Sequence, residues 1–321
     1  MSFRALVVGL GQIGMGYDLN HDPDQVVTTH ARAFQIHPEF NLVGGVDSDS
    51  NRISLFESEY CCPGYSDLKK ALKDLKPDII VIATPTTTHL QNISIIVSES
   101  NPKAIICEKP LAYDINDATK IAESCESAGI KLFVNYMRRS DSGVIEVKRR
   151  IDNMLISQPI KGVCWYSKGL LNNGSHFLNL LQFWLGDIVN FELINKGRLW
   201  NDIDPEPDFR IIFEHGTIIF LAAYEEYYSH YAIEIMCASG RLQYSHSGSQ
   251  ILWQSVINDP CFEGYEILNP VFETISSDLD RIQIQVLNNL VNSLNQKESS
   301  ICTARDALVT SEIIDKIGKV L

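Results

Sequence analysis

Residues 104–114, AIICEKPLAYD, place an acid, a lysine and a proline directly after a short apolar run. The apolar run is typical of a buried strand. Because a proline disfavours helical geometry in the residue before it, Lys109 is expected to stay extended, with its side chain directed out of the strand end. An ammonium group held there can stabilise negative charge on an oxygen atom. The alternative is a surface lysine that pairs with Glu108.

A glycine-rich turn follows the first apolar run. The segment ALVVGL (5–10) continues into GLGQIG, in which Gly9, Gly11 and Gly14 have GxGxxG spacing. Glycines at these positions permit a tight turn, close approach of the backbone to a pyrophosphate and close helix packing. Amide groups at the start of the following helix attract the phosphates. The pattern therefore predicts a dinucleotide-binding loop, with a merely flexible turn as the alternative.

A second apolar run, 40–47, ends at Asp47. A carboxylate at this position accepts hydrogen bonds from the adenosine ribose and repels a 2′-phosphate, which favours NAD over NADP. Arg52 lies five residues further on and could soften this preference. The alternative is that DSDSN (47–51) is only a solvated helix start with an aspartate as its cap.

Gly14 and Asp47 are separated by more than the roughly 20 residues of the usual fingerprint. The excess falls in the polar segment 15–29, which we interpret as an insertion at the mouth of the cofactor site, with a role as a lid or a substrate contact. The spacing of its histidines and aspartates, together with His30, fits no ordinary ligand set, so no metal site is predicted.

The first half of the chain alternates strand and helix. Apolar runs are found at 5–10, 40–47, 78–85, 104–110 and 131–139, and helices are predicted at about 29–37, 50–60, 65–75, 88–100 and 115–128. Such alternation predicts a doubly wound parallel sheet, in which ligands bind beyond the carboxyl ends of the strands. Lys109 lies at one of these ends. Thr88 is expected to cap the helix that follows it.

The second half is rich in β-strand patterns. After about residue 155, apolar segments are separated by EHGT, ASG and HSGS, which are typical of hairpin turns. We therefore predict an α/β domain at 1–140 and an α+β domain with a mostly antiparallel sheet at 141–321. The helix predicted at 304–318 could pack back on the first domain.

Composition excludes several classes of protein. The 321 residues are 45% hydrophobic and carry a net charge of −13, values that suit a soluble protein of two domains and not a partner of nucleic acid or of an anionic membrane. No signal peptide or apolar run of about 20 residues is found, so we expect a cytoplasmic protein. The eight cysteines lack metal-finger spacing and are expected to be reduced thiols.

Several motifs together resemble one family. The glycine loop, Asp47, ATPTTTH (83–89), CEKP (107–110), LLNNGSHFLNLLQFWLG (170–186) and ARDALVTSEIIDKI (304–317) occur in the order typical of the glucose-fructose oxidoreductase, inositol dehydrogenase and MocA (Gfo/Idh/MocA) family. This resemblance spans nearly the whole chain. It implies an N-terminal Rossmann domain, a C-terminal α+β domain and assembly into a homodimer or homotetramer.

The resemblance also implies roles for individual residues. Lys109 and His176 would be catalytic. The residues expected to contact the cofactor are Gly9, Gly11, Gln12, Ile13, Gly14, Asp47, Thr84, Pro85, Thr86, His89, Glu108 and Lys109. The residues expected to contact the substrate are Asn172, Asn173 and Asn179. Apart from the resemblance, a carboxylate or phosphate of the substrate could be bound by Tyr136, Arg138, Tyr166 and Lys168, and the alternative is that these are solvated surface residues.

His176 is placed in the first turn of an amphipathic helix, where the helix dipole favours a neutral imidazole able to accept a proton. A polar residue with only a structural role is the alternative. The family aspartate four residues earlier is Asn172 here, and Asn179 also replaces an acidic residue. Since asparagine cannot take up a proton, the acid/base role would fall on His176, with Lys109 as a further participant.

We therefore expect an NAD-dependent oxidoreductase that moves hydride between nicotinamide and a secondary alcohol of a sugar, inositol or nucleotide-sugar. One alternative is an enzyme that retains NAD for transient oxidation, as in an epimerase or a glycosidase. Another is a non-catalytic NAD-binding sensor or partner subunit. The sequence leaves the substrate and the reaction direction open.

Overall fold

A computed structural model describes residues 2–224 and 227–321. The chain forms two compact units. The first runs to Ser140 and includes Asp280–Glu312, and the second consists of Asp141–Leu279 and Ile313–Leu321. Residues 280–303, which the sequence-based division places in the second domain, thus lie in the first unit.

The first unit is built on a parallel six-stranded sheet with the order β3-β2-β1-β4-β5-β6. Its strands are β1 (Phe3–Val8), β2 (Phe40–Val46), β3 (Gly64–Tyr65), β4 (Ile79–Ile82), β5 (Ala104–Cys107) and β6 (Lys131–Val134). Alternate residues of the central strands pack into two separate apolar clusters, with Leu6 and Ile80 in one and Val7 and Val81 in the other. Both faces of the sheet are therefore covered, as expected for a parallel sheet.

The described residues contain nine α-helices: α1 (His30–Ile36), α2 (Ser50–Tyr60), α3 (Leu68–Leu75), α4 (His89–Glu99), α5 (Ile115–Ser127), α6 (Ser142–Asp152), α7 (Ser175–Leu185), α8 (Ile282–Leu294) and α9 (Ala304–Gly318). Several begin at an aspartate whose carboxylate accepts first-turn amides, as Asp114 does for α5 and Asp141 for α6. Such caps fix where the chain turns from strand into helix.

The second unit contains a nine-stranded sheet with the order β14-β13-β12-β11-β7-β10-β9-β8, and β15 pairs with β13. Its strands are β7 (Lys161–Tyr166), β8 (Ile188–Trp200), β9 (Asp204–Phe213), β10 (Gly216–Ala222), β11 (Ala232–Cys237), β12 (Gly240–Ser245), β13 (Gln250–Asn258), β14 (Glu266–Leu268) and β15 (Glu273–Ile275). Among the described strands of this unit, all pairings are antiparallel except the one between β10 and β7. The predicted fold class is confirmed for both parts of the chain.

Residues 280–312 are attached to the first unit by backbone contacts. The Val134 amide donates to the Cys302 carbonyl at 3.0 Å, and the Val27 amide donates to the Asp280 carbonyl at 2.8 Å. An ion pair between Arg139 and Asp306 adds a side-chain contact at 3.3 Å. The late segment therefore covers the outer edge of β6. No helix within the described ranges is both long and apolar enough to cross a membrane.

Candidate active site

The glycine loop packs tightly against the carboxyl end of β4. Gly9 has a φ of +98°, and a Cβ there would lie 2.6 Å from the Ala83 carbonyl carbon and oxygen. A Cβ on Gly14 would lie 2.0 Å from the Gly9 carbonyl oxygen. Residues Gln12–Gly16 then form one π-helical turn. Because backbone atoms fill these spaces, larger residues would displace the loop.

A cleft of about 690 Å³ opens beside this loop. Seven predicted cofactor contacts line it: Gly9, Gly11, Gln12, Ile13, Asp47, Thr84 and Pro85. Gly14, Thr86, His89, Glu108 and Lys109 do not line this cleft. Tyr17, which belongs to the inserted segment 15–29, also lines the cleft and was not predicted to do so.

Asp47 is fixed at the end of β2. One carboxylate oxygen accepts the Leu10 amide at 2.7 Å and the other accepts the Asp49 amide at 2.9 Å. The carboxylate thereby joins β2 to the glycine loop while it lines the cleft. The side-chain cap of α2 is Asp49, which accepts the Asn51 amide, so Asp47 is not the helix cap. Arg52 is half-exposed, with its guanidinium nitrogen 3.6 Å from Asp47.

The loop after β4 is held by side-chain hydrogen bonds. Thr88 occupies the N-cap position of α4, but its hydroxyl bonds to the Thr84 hydroxyl and the Pro85 carbonyl, so the predicted side-chain cap is wrong. His89 is buried, with its ring nitrogens 2.9 Å from the Thr84 carbonyl and 3.1 Å from the Leu111 carbonyl. His89 therefore connects the loops that follow β4 and β5.

The Glu-Lys-Pro segment begins directly after β5, and its Lys109–Pro110 peptide bond is cis. Glu108 Oε1 lies 2.7 Å from His30 Nε2 and accepts a hydrogen bond from Asn135 Nδ2 at 2.7 Å. Burial acts to raise the pKa of Glu108, but the bonds from His30 and Asn135 outweigh it and the pKa is lowered. Glu108 is therefore a carboxylate that other side chains hold in place.

The helix that carries His176 is preceded by a π-helical turn, Leu170–Gly174. Asp204 accepts the amides of Leu171 and Asn172 at 2.9 and 2.8 Å. Gly169 has a φ of +87°, and a Cβ there would lie 2.0 Å from Asp204 Oδ2. Burial raises the pKa of Asp204, although the backbone hydrogen bonds oppose this rise. The carboxylate thus fixes the turn from which α7 starts.

His176 and Asn179 are both buried in α7, a helix whose residues 175–182 are all buried. The amphipathic pattern predicts a polar side facing away from the core, yet the structure covers that side as well. The side-chain Nδ2 of Asn172 donates to the Lys168 carbonyl at 3.2 Å, and the side-chain Nδ2 of Asn173 donates to the Tyr231 hydroxyl at 2.5 Å.

Other predicted substrate contacts are placed as follows. Tyr166 is fully buried, and its hydroxyl donates to the Pro207 carbonyl at 2.6 Å. Burial also raises the pKa of Tyr166. The structure therefore corrects this prediction, since Tyr166 is a core residue of the second unit. Tyr136 is buried, Arg138 belongs to a 3₁₀ turn, and Lys168 has a left-handed φ of 60°.

Two residues near Glu108 were not predicted as functional. His30 was considered only as a metal ligand, and Asn135 was not singled out. The sequence position of Asn135 could have predicted that it lies near Glu108. Asn135 follows β6 as Glu108 follows β5, and the carboxyl ends of adjacent parallel strands lie at one edge of a sheet. Within residues 2–224 and 227–321, no group of three or more histidine, cysteine or carboxylate side chains could hold a metal ion.

Comparison with known proteins agrees with this geometry. Residues 3–136 match the model of the Gfo/Idh/MocA family, described as an oxidoreductase family with an NAD-binding Rossmann fold. Over these residues, which are less than half of the chain, the sequence is similar to that family. The family assignment covers the glycine loop, Asp47 and the Glu-Lys-Pro segment.

Curated relatives match about half of the chain. The scyllo-inositol 2-dehydrogenase (NAD(+)) of Bacillus subtilis (strain 168) is 32% identical over 158 residues, which are 49% of this chain and 42% of that protein. The myo-inositol 2-dehydrogenase of Thermotoga maritima is 25% identical over 157 residues, with the same two coverages of 49% and 42%. The chain thus matches less than half the length of these relatives.

Solved structures match over nearly the full chain. The WlbA dehydrogenase of Bordetella pertussis, in complex with NADH and UDP-GlcNAcA, has a TM-score of 0.76 at 17% identity and covers 99% of this chain and 96% of its own. A putative NADPH-dependent oxidoreductase from Desulfitobacterium hafniense has a TM-score of 0.81 at 16% identity, with coverages of 99% and 95%. At these identities the match shows that the fold is shared by both units.

The residues around the cleft fit an NAD molecule. A Cβ on Gly9 or Gly14 would collide with backbone atoms, so the loop leaves its space beside the cleft free of side chains. The Asp47 carboxylate stands where the ribose hydroxyls of a dinucleotide would be bound.

Proposed function

We propose that this protein is an NAD-dependent oxidoreductase that transfers hydride between nicotinamide and a secondary alcohol of a sugar, inositol or nucleotide-sugar. The observation that carries the proposal is the cleft in which the glycine loop and the fixed Asp47 carboxylate adjoin. The Glu-Lys-Pro segment at the end of β5 supports it, because that strand is adjacent to β4 in the same parallel sheet.

Each side chain has a proposed task. NAD, when bound, supplies the hydride acceptor or donor. The Lys109 ammonium would hydrogen-bond the substrate oxygen and stabilise its negative charge. His176 would accept the hydroxyl proton during oxidation and return it during reduction. In the oxidation of an alcohol to a ketone, His176 would take the hydroxyl proton and Lys109 would stabilise the oxygen, while bound NAD would supply the hydride acceptor.

Asp47 supports a preference for NAD over NADP. Its carboxylate lies in the cleft, where it would repel a 2′-phosphate. The Arg52 guanidinium, 3.6 Å away, offsets part of that repulsion. We therefore expect NADP to bind more weakly than NAD but measurably, and Asp47→Ser to narrow the difference between their dissociation constants.

The first test is a titration of the purified chain with NAD and NADP, followed by NADH absorbance with inositols, aldoses, uronic acids and nucleotide-sugars. The expected result is NAD-dependent turnover that Lys109→Ala and His176→Ala reduce by about 10²-fold or more. Lys103→Ala, at an exposed lysine before β5, is the matched control and should leave turnover unchanged. Absence of NAD binding would refute the proposal.

Two other outcomes would favour a different function for this protein. Tight NAD binding with product formed but no net NADH would indicate a retained cofactor and transient oxidation. NAD binding with no turnover of any compound would indicate a sensor or a partner subunit. In both cases, the result would support the proposed cofactor site and contradict the proposed dehydrogenase reaction.

Location and assembly also remain proposals. We propose a cytoplasmic protein that forms homodimers or homotetramers. Large apolar side chains are exposed on β8 and next to it, including Val189, Ile194, Leu199 and Ile203, and such exposure supports self-association. Light scattering of the purified chain would test it, and a monomer at micromolar concentration would contradict it.

A further inference from the structure

Three polar side chains from three elements meet behind the Glu-Lys-Pro segment. His30 is the first residue of α1, Glu108 follows β5 and Asn135 follows β6. His30 and Asn135 each have a nitrogen 2.7 Å from Glu108 Oε1, and the two nitrogens are 3.5 Å from each other. His30 is 1% exposed and Asn135 is 4% exposed. The three residues all belong to the first unit.

The arrangement favours one charge state of Glu108. Burial of a carboxyl without donors raises its pKa, because burial penalises the charged form. Here two donors converge on one oxygen, and donation from a neutral His30 requires the proton on Nε2. Further titratable neighbours of Glu108 are Lys109, which stabilises the Glu108 charge, and the Cys107 thiol, whose pKa is raised by burial first and by Glu108 second.

The inserted segment 15–29 determines where His30 lies. Thr29 is the N-cap of α1 and accepts the Arg32 amide. Asp18 is fully buried and accepts both the amide and the hydroxyl of Thr29, at 2.8 and 2.7 Å. The segment therefore connects the glycine loop to His30. The hydrogen bonds between Asp18 and Thr29 fix the position at which His30 begins α1 beside Glu108.

We propose that His30 and Asn135 are positioning residues that hold Glu108 as an oriented carboxylate, and that this carboxylate keeps the adjacent Lys109 in its ammonium form. The charge on Lys109 is what polarises an oxygen, so the triad sets the pH up to which Lys109 can act. The catalytic consequence rests on the proposed function. The electrostatic link between Glu108 and Lys109 does not.

Competitive labelling of lysines in the cofactor-free full chain tests the link directly. Acetic anhydride modifies only the neutral amine, so the pH dependence of Lys109 acetylation, read by peptide mass spectrometry, gives its titration midpoint. Glu108→Gln keeps the shape and removes the charge. We expect this variant to lower the Lys109 midpoint by about 0.5–1 pH unit, the effect of one lost charge beside a partly solvated amine.

Histidine variants separate positioning from packing. His30→Leu should lower the titration midpoint of Lys109, as Glu108→Gln does. His30→Gln offers a neutral donor to Glu108, so its Lys109 midpoint should lie close to that of the wild type. His37→Leu is the matched control, because His37 ends the same helix and bonds instead to Asn288 at 3.1 Å. This control should leave the Lys109 midpoint unchanged.

Two outcomes overturn the proposal. An unchanged Lys109 midpoint in Glu108→Gln would show that Glu108 does not act on Lys109, and equal effects of His30→Leu and His37→Leu would show only general disruption. With a substrate in hand, the alkaline limb of the kcat/KM profile should shift to lower pH by the same amount in Glu108→Gln. If no substrate is oxidised, the labelling result still decides the electrostatic link, so failure of the proposed function is distinguishable.

Discussion

Removal of the Asp18 carboxylate is expected to unfold the inserted segment. Asp18 accepts the amides of Thr28 and Thr29 at 2.8 Å each and the Thr29 hydroxyl at 2.7 Å. In Asp18→Ala the hydroxyl can turn to another acceptor, but the part-buried Thr28 amide and the buried Thr29 amide both lose their acceptor. At about 1–3 kcal/mol for each donor left without an acceptor, the loss is about 2–6 kcal/mol in total.

Urea unfolding followed by far-ultraviolet circular dichroism measures this loss. With an m-value of about 2 kcal/mol per molar urea, the midpoint should fall by about 1–3 M. The tryptophans cannot report on it, since Trp165, Trp184, Trp200 and Trp253 all belong to the second unit. Their fluorescence instead serves as a control that the second unit is folded before urea is added.

Two variants control for the position and for the charge. Asp22 lies in the same segment but is exposed, and its carboxylate accepts the Asp24 amide and a Gln25 amide nitrogen, so Asp22→Ala should unfold near the wild-type midpoint. Asp18→Asn keeps one oxygen able to accept both amides and should fall between wild type and Asp18→Ala. If Asp18→Ala and Asp22→Ala unfold at the same urea concentration, the buried carboxylate does not anchor the segment.

Three further outcomes are expected. Gly14→Ala would place a Cβ 2.0 Å from a backbone oxygen and should weaken NADH binding about 10-fold or more, while Gly318→Ala, which has no neighbour within 4 Å, should not, as judged by NADH fluorescence titration. The pKa of Glu146 is lowered from 4.5 to about 2, chiefly by the Arg149 hydrogen bond. The ionised Glu146 carboxylate therefore stabilises the fold above about pH 4.5, and this contribution is lost as the pH falls towards 2. In acid unfolding over that pH range, Glu146→Gln should lose less stability than the wild type. Iodoacetamide should modify the exposed Cys261 in the native protein and reach the buried cysteines only after unfolding, as read by mass spectrometry.

Local patterns were sufficient to predict most of the fold. The β-branched runs and the capping aspartates mark β1, β2, β4 and β5 and the helices between them within a few residues. The end of β6 was overestimated, at 139 instead of Val134. There Tyr136 and Met137 look apolar enough to extend a strand, but the Tyr136 amide turns back to the Val134 carbonyl at 2.7 Å and a 3₁₀ turn follows.

Long-range pairings were beyond sequence patterns. Nothing local to Cys302 indicates that its carbonyl accepts the Val134 amide, so the late segment was placed in the second domain. In the candidate site, the glycine loop and Asp47 could be predicted because their roles depend on their own backbone. Tyr166 could not be placed, because the acceptor of its hydroxyl, the Pro207 carbonyl, lies on a different strand.

The discontinuity of the first unit has a consequence for biosynthesis. In the finished protein, the Val134 amide and a bridge between Phe133 and Thr303 close the outer edge of β6. While a ribosome makes the chain, that edge stays open until Thr303 has emerged, roughly 10–30 s after β6 at ordinary elongation rates. An open strand edge is a template for pairing with other chains. The nascent protein therefore exposes an unpaired strand edge throughout this interval, and a fragment cut at residue 140 would expose the same edge permanently.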